Sequence, residues 1–202
     1  SMSDLLENDL SPDPVEQFLA WYNDALHADI PQANAMTLAT STPDGRPSAR
    51  VVLMKSVDQR GFIFVTNYRS RKGKEIAANP WGVLVFHWPS LERQVRIEGA
   101  IEKTTAQESD ALFSARARDH QLSSAASPQS EVITLEDLDR RYSNLEQRFS
   151  GVPVPRPADW GGYLLRPGRM EFWQHRFARM NDRVLYVRRG DGEEWERMRL
   201  AP

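Results

Sequence analysis

Between Ala35 and Lys103 the chain is divided into β-type runs too closely spaced for crossover helices to fit between them. The runs span 35–40, 48–55, 61–66, 82–88 and 93–103, rich in β-branched and aromatic residues and bounded by turn residues. Pro43, Asp44 and Gly45 mark the first connection as a tight hairpin turn. A parallel pair needs a crossover of roughly a dozen residues or more, so antiparallel pairing is imposed. Only the interval from Ser70 to Ala78 has a helical pattern, and Asn79 with Pro80 stops it. The expected fold is mainly β, an antiparallel barrel with helices attached.

The attached helices carry their own start signals. Asp13 stands at an N-cap, Pro14 at the first helical position, and Glu16 closes a capping-box-like pair. Val15, Phe18, Leu19, Tyr22 and Leu26 then follow at helical spacing. Thr105, with Glu108 three residues on, opens a second helix running to about Ala115. The segment 134–149 carries Leu135, Leu138, Tyr142, Leu145 and Phe149, a stripe that reads as core or subunit interface. Pro153, Pro155 and Pro157 form a stiff connector. Strands return over 162–173, 182–189 and 195–200, with Asp191 and Gly192 as a hairpin turn. Residues 1–12 are polar and acidic and are expected to be mobile, leaving 13–202 as one domain.

Composition narrows the chemistry. The net charge of −2 offers no global basic field for nucleic acid, so any positive site must be local. The absence of cysteine removes disulfides, thiolate metal sites and thiol nucleophiles, and fits a reducing cytoplasm. No apolar run approaches the roughly eighteen residues of a membrane helix, so a soluble cytoplasmic protein is expected. The four histidines lack metal-ligand spacing, and no metal is expected. There is no Gly-rich dinucleotide loop, Walker-type loop or nucleophile elbow. An enzyme with so few reactive side chains would rely on a bound cofactor.

Cations are concentrated in three places: Arg50 with Lys55, Arg71 with Lys72, and Arg176, Arg179 and Arg183 after an apolar run containing Trp173. Guanidinium and ammonium groups beside an aromatic plane suit a flat ligand carrying phosphate, or else form a solvated basic surface. Arg50 and Lys55 differ by an odd number, so in a regular strand they would face opposite ways. Either a bulge reorients one of them, or the two serve different ligands.

Taken in order, these segments resemble the pyridoxine/pyridoxamine 5'-phosphate oxidase family. The markers are the run 50–55, the run 66–72, Leu91 to Val95, Ser127 to Ser130, Trp160 to Gly162, Glu171 to Gln174 and the closing Arg199 to Pro202. The resemblance implies a split β-barrel binding FMN at the interface of a homodimer. The implied reaction is oxidation of a phosphorylated B6 vitamer to the aldehyde, with O2 as final acceptor. The implied FMN contacts are Arg50, Val51, Val52, Leu53, Met54, Lys55, Val65, Thr66, Arg71, Lys72, Gln94, Trp173 and Arg183, with Gln129 and Ser130 from the other subunit.

On the substrate side the family uses a Lys, a Tyr, an Arg and a Ser for the vitamer phosphate. Here Lys55 and Arg116 remain, Leu112 stands in place of the Tyr and His120 in place of the Ser. The motif Arg-Leu-His-Asp-Arg, whose first Arg and His lie over the substrate, reads Arg179, Met180, Asn181, Asp182, Arg183. Arg179 and Asn181 are therefore the implied catalytic pair, with Asn181 unable to exchange a proton near neutral pH. Two other readings follow from these departures: a flavin oxidase of the same fold acting on another ring, as in phenazine biosynthesis, or a non-catalytic binder of FMN or pyridoxal phosphate.

Overall fold

The computed structural model describes residues 5–190, 192 and 194–202. In chain order the elements are α1 (Pro14–His27), β1 (Ala35–Ser41), β2 (Pro47–Leu53), β3 (Ser56–Asp58), β4 (Gly61–Asn67), α2 (Arg71–Ala78), β5 (Trp81–Trp88) and β6 (Arg93–Lys103). They are followed by α3 (Ala106–Ser114), α4 (Arg118–Ala126), α5 (Leu135–Arg148), β7 (Trp160–Gln174), β8 (Asp182–Arg188) and β9 (Trp195–Arg199). All strand pairs among the described residues are antiparallel, in the order β2-β1-β5-β6-β7-β4-β3, with β8 and β9 branching from β7. Neither β3 nor α4 was visible as an element in the sequence. Asp191 of the expected β8–β9 turn lies outside the described residues.

One long strand joins the two halves of the sheet. Residues 160–165 of β7 pair with β4, residues 169–174 pair with β8, and β6 runs beside both stretches. The β6–β7 register shifts between Glu98 and Gly99. A Cβ at Gly99 would sit 1.9 Å from the Arg166 carbonyl oxygen, so only glycine lets the backbones approach there. The irregularity bends the sheet into a split barrel.

Helix α1 closes one side of that barrel. Asp13 accepts from the Val15 N–H as expected of a cap, but Glu16 accepts from Ser11 Oγ, so the capping box is replaced by a relay through Ser11. Phe18 is fully buried, with ring centroids 4.9 Å from Phe62, 4.8 Å from Phe86 and 6.1 Å from Trp88. Trp21 meets Phe172 edge-on at 5.2 Å.

Two expectations need correction. The mobility expected of residues 1–12 does not extend to 5–12. Leu5 and Leu10 are buried, the Leu5 N–H donates to Asp182 Oδ2 at 3.0 Å, and Arg197 donates to the carbonyls of Glu7 and Leu10 at 2.6 Å. Residues 1–4 of that stretch lie outside the described residues. The stripe on α5 is not core within this chain. No residue of α5 is buried, and Leu135 is 74% exposed. Tyr142, Leu145 and Phe149 only lean on a small second cluster of Phe113, Leu122, Val154 and Trp160. The stripe is therefore largely uncovered within one chain.

Truncating Phe18 to alanine removes the ring on which four aromatic contacts converge, and α1 cannot sink into the space. A loss of about 3–5 kcal/mol is expected in urea unfolding. A loss under about 1 kcal/mol would show that α1 is not a structural part of the barrel.

Candidate active site

Helix α2 builds the first half of the site. Ser70 caps it by accepting from the Gly73 N–H at 3.2 Å, which places Arg71 and Lys72 on its first turn. Gly73 is required there, since a Cβ would lie 2.2 Å from the Tyr68 carbonyl oxygen. Lys72 is only 7% exposed and has no hydrogen-bond or ion-pair partner among the described residues. Burial and the neighbouring Arg50 guanidinium push its ammonium down to about 8.

A hydroxyl relay holds Arg50. Its Nη1 donates to Thr40 Oγ1 at 2.7 Å and to the Leu38 carbonyl at 3.2 Å, and its Nη2 donates to Ser48 Oγ at 2.6 Å. Both hydroxyls then donate to buried Glu75, at 2.9 and 2.6 Å, and Arg71 Nε donates to the same carboxylate at 3.1 Å. Burial alone would raise the Glu75 carboxyl, but Ser48, Thr40 and Arg71 outweigh it and hold it below its ordinary value. The network therefore sets three cations, Arg50, Arg71 and Lys72, against one carboxylate, leaving two positive charges. That surplus matches a phosphate monoester of about −1.5 to −2.

Gln129 and Ser130 reach this network from the same chain rather than from a second subunit. Thr66 Oγ1 and the Asn67 N–H donate to Gln129 Oε1 at 2.9 and 3.2 Å, and the Arg71 N–H donates to Ser130 Oγ at 3.0 Å. The cause is α4: it carries the chain back so that the loop after Ala126 meets the end of β4 and the start of α2. Arg71, Glu75, Gln129 and Ser130 line a hollow of about 400 Å³.

A second cation pair lies beside it. Strand β2 ends at Leu53, after which the Met54 N–H donates to Asn34 O and the Lys55 N–H to Ile63 O. The chain thus leaves β1 and joins β4 between Arg50 and Lys55, which accounts for their odd spacing: the Arg50 charge acts on Lys72, while the Arg116 charge acts on Lys55. Burial lowers both Lys55 and Arg116, and for Lys55 the Arg116 charge adds to it. Arg116 lies 5.1 Å over the Trp160 ring, and its buried Nε has no partner. Val65, Thr66, Arg116, Gln129 and Trp160 line a hollow of about 220 Å³. Leu112 packs with the second apolar cluster and His120 is exposed on α4; neither lines that hollow. In the run 50–55, Met54 is buried, Val52 packs on the core and Val51 is exposed, so Arg50 and Lys55 are its polar contributors.

The remaining candidates occupy another face. Gln94, Trp173 and Arg183 stand opposite one another across β6, β7 and β8. Val95, Phe172 and Val184, one residue along each strand, are fully buried, so strand parity turns the polar row away from the core. Arg183 clamps Glu171 through Nε and Nη2, both at 2.9 Å, and Arg96 adds a third contact at 3.1 Å. Arg179 is exposed in the β7–β8 loop, where Asn181 Oδ1 accepts from the Arg176 N–H at 3.0 Å. Among the described residues no hydrogen bond or ion pair joins this group to the α2 network. Glu75 and Glu171 were missed in the sequence; the one available signal was the i,i+4 spacing of Arg71 and Glu75.

A concavity of about 1290 Å³ between Trp81, Arg166 and Trp195 shares no lining residue with these hollows. Its cations are already engaged: Arg60 with Asp58 and Glu108, Arg166 with Glu102, and Arg188 over the Trp195 ring.

A split barrel with two phosphate-sized cation clusters defines a class of site, and comparison with known proteins identifies the family. Residues 22–140 match the family model described as pyridoxamine 5'-phosphate oxidase. Residues 160–202 match the pyridoxine 5'-phosphate oxidase C-terminal dimerisation region. The chain belongs to the pyridoxamine 5'-phosphate oxidase family. It is 55% identical to the pyridoxine/pyridoxamine 5'-phosphate oxidase of Rubrobacter xylanophilus over 98% of this chain and 91% of that one. To the enzyme of the same name from Thermosynechococcus vestitus it is 52% identical, over 98% and 93%. Among solved structures, PhzG from Burkholderia lata 383, in complex with tetrahydrophenazine-1-carboxylic acid, superposes with a TM-score of 0.92 at 33% identity, with full coverage of both chains.

The unpartnered Lys72 ammonium and the network's surplus charge fit the phosphate of FMN. Binding at Lys72 requires the protonated amine, so affinity is full below about 8 and falls as pH rises through that value. FMN affinity measured by flavin fluorescence is expected to drop about tenfold from pH 7 to pH 9, while riboflavin, lacking the phosphate, shows no such drop. Equal pH dependence for the two would remove Lys72 from the phosphate site.

Proposed function

We propose that this chain is an FMN-dependent oxidase that converts pyridoxamine 5'-phosphate or pyridoxine 5'-phosphate to pyridoxal 5'-phosphate. Pyridoxine phosphate and O2 give the aldehyde and hydrogen peroxide; the amine additionally consumes water and releases ammonia. When bound, FMN would supply the two-electron acceptor for the hydride lost from the 4' carbon, with O2 as the final oxidant. The observation that carries this reading is the buried, unpartnered Lys72 in a network with two surplus positive charges, near a hollow lined by a further cation, Arg116.

In this reading Arg50, Arg71, Lys72 and Ser130 seat the cofactor phosphate, with Thr66 and Gln129 beside it. Lys55 and Arg116 take the substrate phosphate, with the Arg116 guanidinium over the Trp160 ring at 5.1 Å. Gln94, Trp173 and Arg183 are proposed to complete the flavin pocket of a second copy, since they lie on a face turned outward from their own barrel. The match to a dimerisation region and the uncovered stripe of α5 support a homodimer. Arg179 is proposed to orient the substrate ring. The cytoplasm is the proposed location, in keeping with a chain without cysteine.

Anaerobic mixing of the FMN-loaded protein with pyridoxamine phosphate should bleach the flavin, and air should then release peroxide. Replacing Arg116 with alanine should raise KM for the phosphorylated vitamer about tenfold or more, roughly the 1.4 kcal/mol of one charge-assisted contact, with flavin content unaltered. Flavin that stays oxidised with every vitamer would refute the reading, and bleaching by a reduced phenazine carboxylate alone would move the activity to that ring class.

A further inference from the structure

The β7–β8 hairpin has an unusual backbone for its sequence. Between Gln174 and Asp182, which pair in register, the chain runs through seven residues, 175–181, with no glycine. Ala178 and Arg179 both adopt left-handed φ values, 57° and 61°, a conformation that L side chains adopt at a cost. Phe177 is 92% exposed and Met180 also faces solvent, so no packing of apolar side chains holds this shape.

Two hydrogen bonds span the loop. The Met180 N–H donates to the Phe177 carbonyl at 3.2 Å, and the Arg176 N–H donates to Asn181 Oδ1 at 3.0 Å. The second runs to a side chain and ties the first arm of the loop to its last residue, and the Arg176 guanidinium adds an ion pair to Asp182 at 3.6 Å. Asn181 is itself anchored by its neighbour: Asp182 is fully buried and accepts from the Leu5 N–H and from Arg199 Nη1 at 2.6 Å. The position of the Arg179 guanidinium thus depends on a short chain of contacts that begins at a buried carboxylate and passes through the Asn181 amide.

We propose that Asn181 is a positioning residue for Arg179: its side-chain oxygen latches the loop, and its role needs an acceptor at that atom rather than an exchangeable proton. The inference deepens the oxidase reading and rests on it for its kinetic consequence. An amide oxygen does not titrate near neutral pH, so the latch is closed at every pH where the enzyme works. Aspartate offers the same acceptor at the same distance from the backbone. Alanine offers none. A neutral histidine can accept through Nδ1, but its imidazolium cannot, and it would open the latch as pH falls through about 6.5.

The test compares the FMN-loaded wild type with Asn181→Ala, Asn181→Asp and Asn181→His. Trypsin cleavage after Arg176 and Arg179, followed by mass spectrometry, reads the loop without reference to activity. Cleavage at these bonds is expected to be about tenfold faster in Asn181→Ala and within about threefold of wild type in Asn181→Asp, at unchanged thermal midpoints. In steady-state assays with pyridoxamine phosphate, kcat/KM should fall at least tenfold in Asn181→Ala and be largely recovered in Asn181→Asp. Asn181→His should show an acid limb near its own imidazole pKa that the wild type lacks. Equal tryptic rates in wild type and Asn181→Ala would overturn the latch. So would an Asn181→Asp as impaired as Asn181→Ala in both assays. A wild type that cleaves slowly, an Asn181→Ala that cleaves fast, and no turnover in either would sustain the latch while refuting the oxidase reading.

Discussion

A buried cation, Lys72, beside a half-buried one, Arg50, with too little counter-charge forms the constraint around which this molecule is arranged. Lys72 and Arg50 are drawn out of water by the packing of α2 against β1, and one carboxylate, Glu75, serves Arg71 and the hydroxyls that hold Arg50. Glu75 fixes directions; it does not neutralise the cluster. Desolvated like charges are unfavourable until an anion arrives, so the empty protein carries an electrostatic cost that binding relieves. A dianionic phosphate would remove it in one step, so a phosphorylated cofactor is predicted to be preferred over its dephosphorylated form.

Strand parity and one irregular strand pair set the rest. The face of β6, β7 and β8 that bears Gln94, Trp173 and Arg183 is outward because the alternate residues Val95, Phe172 and Val184 fill the core. Glu171 fixes Arg183 with two parallel hydrogen bonds, so the guanidinium is oriented before any ligand approaches. Asp182, one residue away, ties the same hairpin to Leu5 and Arg199. This outward face is therefore held by two buried carboxylates, as the α2 network is held by one.

The strands were legible because turn residues and alternation define them locally, and β6 keeps its expected limits of 93–103. Strand β3 is three residues long and leaves no periodic trace. Helix α4 escaped because it buries only Leu122 and Ala126 and has no side-chain cap. Residues 5–12 looked mobile since their acidic composition conceals Leu5 and Leu10, whose partners stand about 175 residues away or more. The cations of the site could be named from order and resemblance, but their grouping could not. That the Arg50 charge acts on Lys72 while the Arg116 charge acts on Lys55 depends on where β2 leaves β1, and that Gln129 meets Thr66 depends on α4. The two carboxylates were overlooked because a search for phosphate ligands looks for positive charge.

The most direct measurement compares FMN and riboflavin binding by calorimetry to the cofactor-free protein and to its Lys72→Met variant. Methionine keeps the length and apolar stem of lysine and removes only the charge. FMN affinity is predicted to fall about a hundredfold, on the order of one buried charge-assisted pair, while riboflavin affinity is unchanged. An equal fall for both ligands, or none for FMN, would contradict the account.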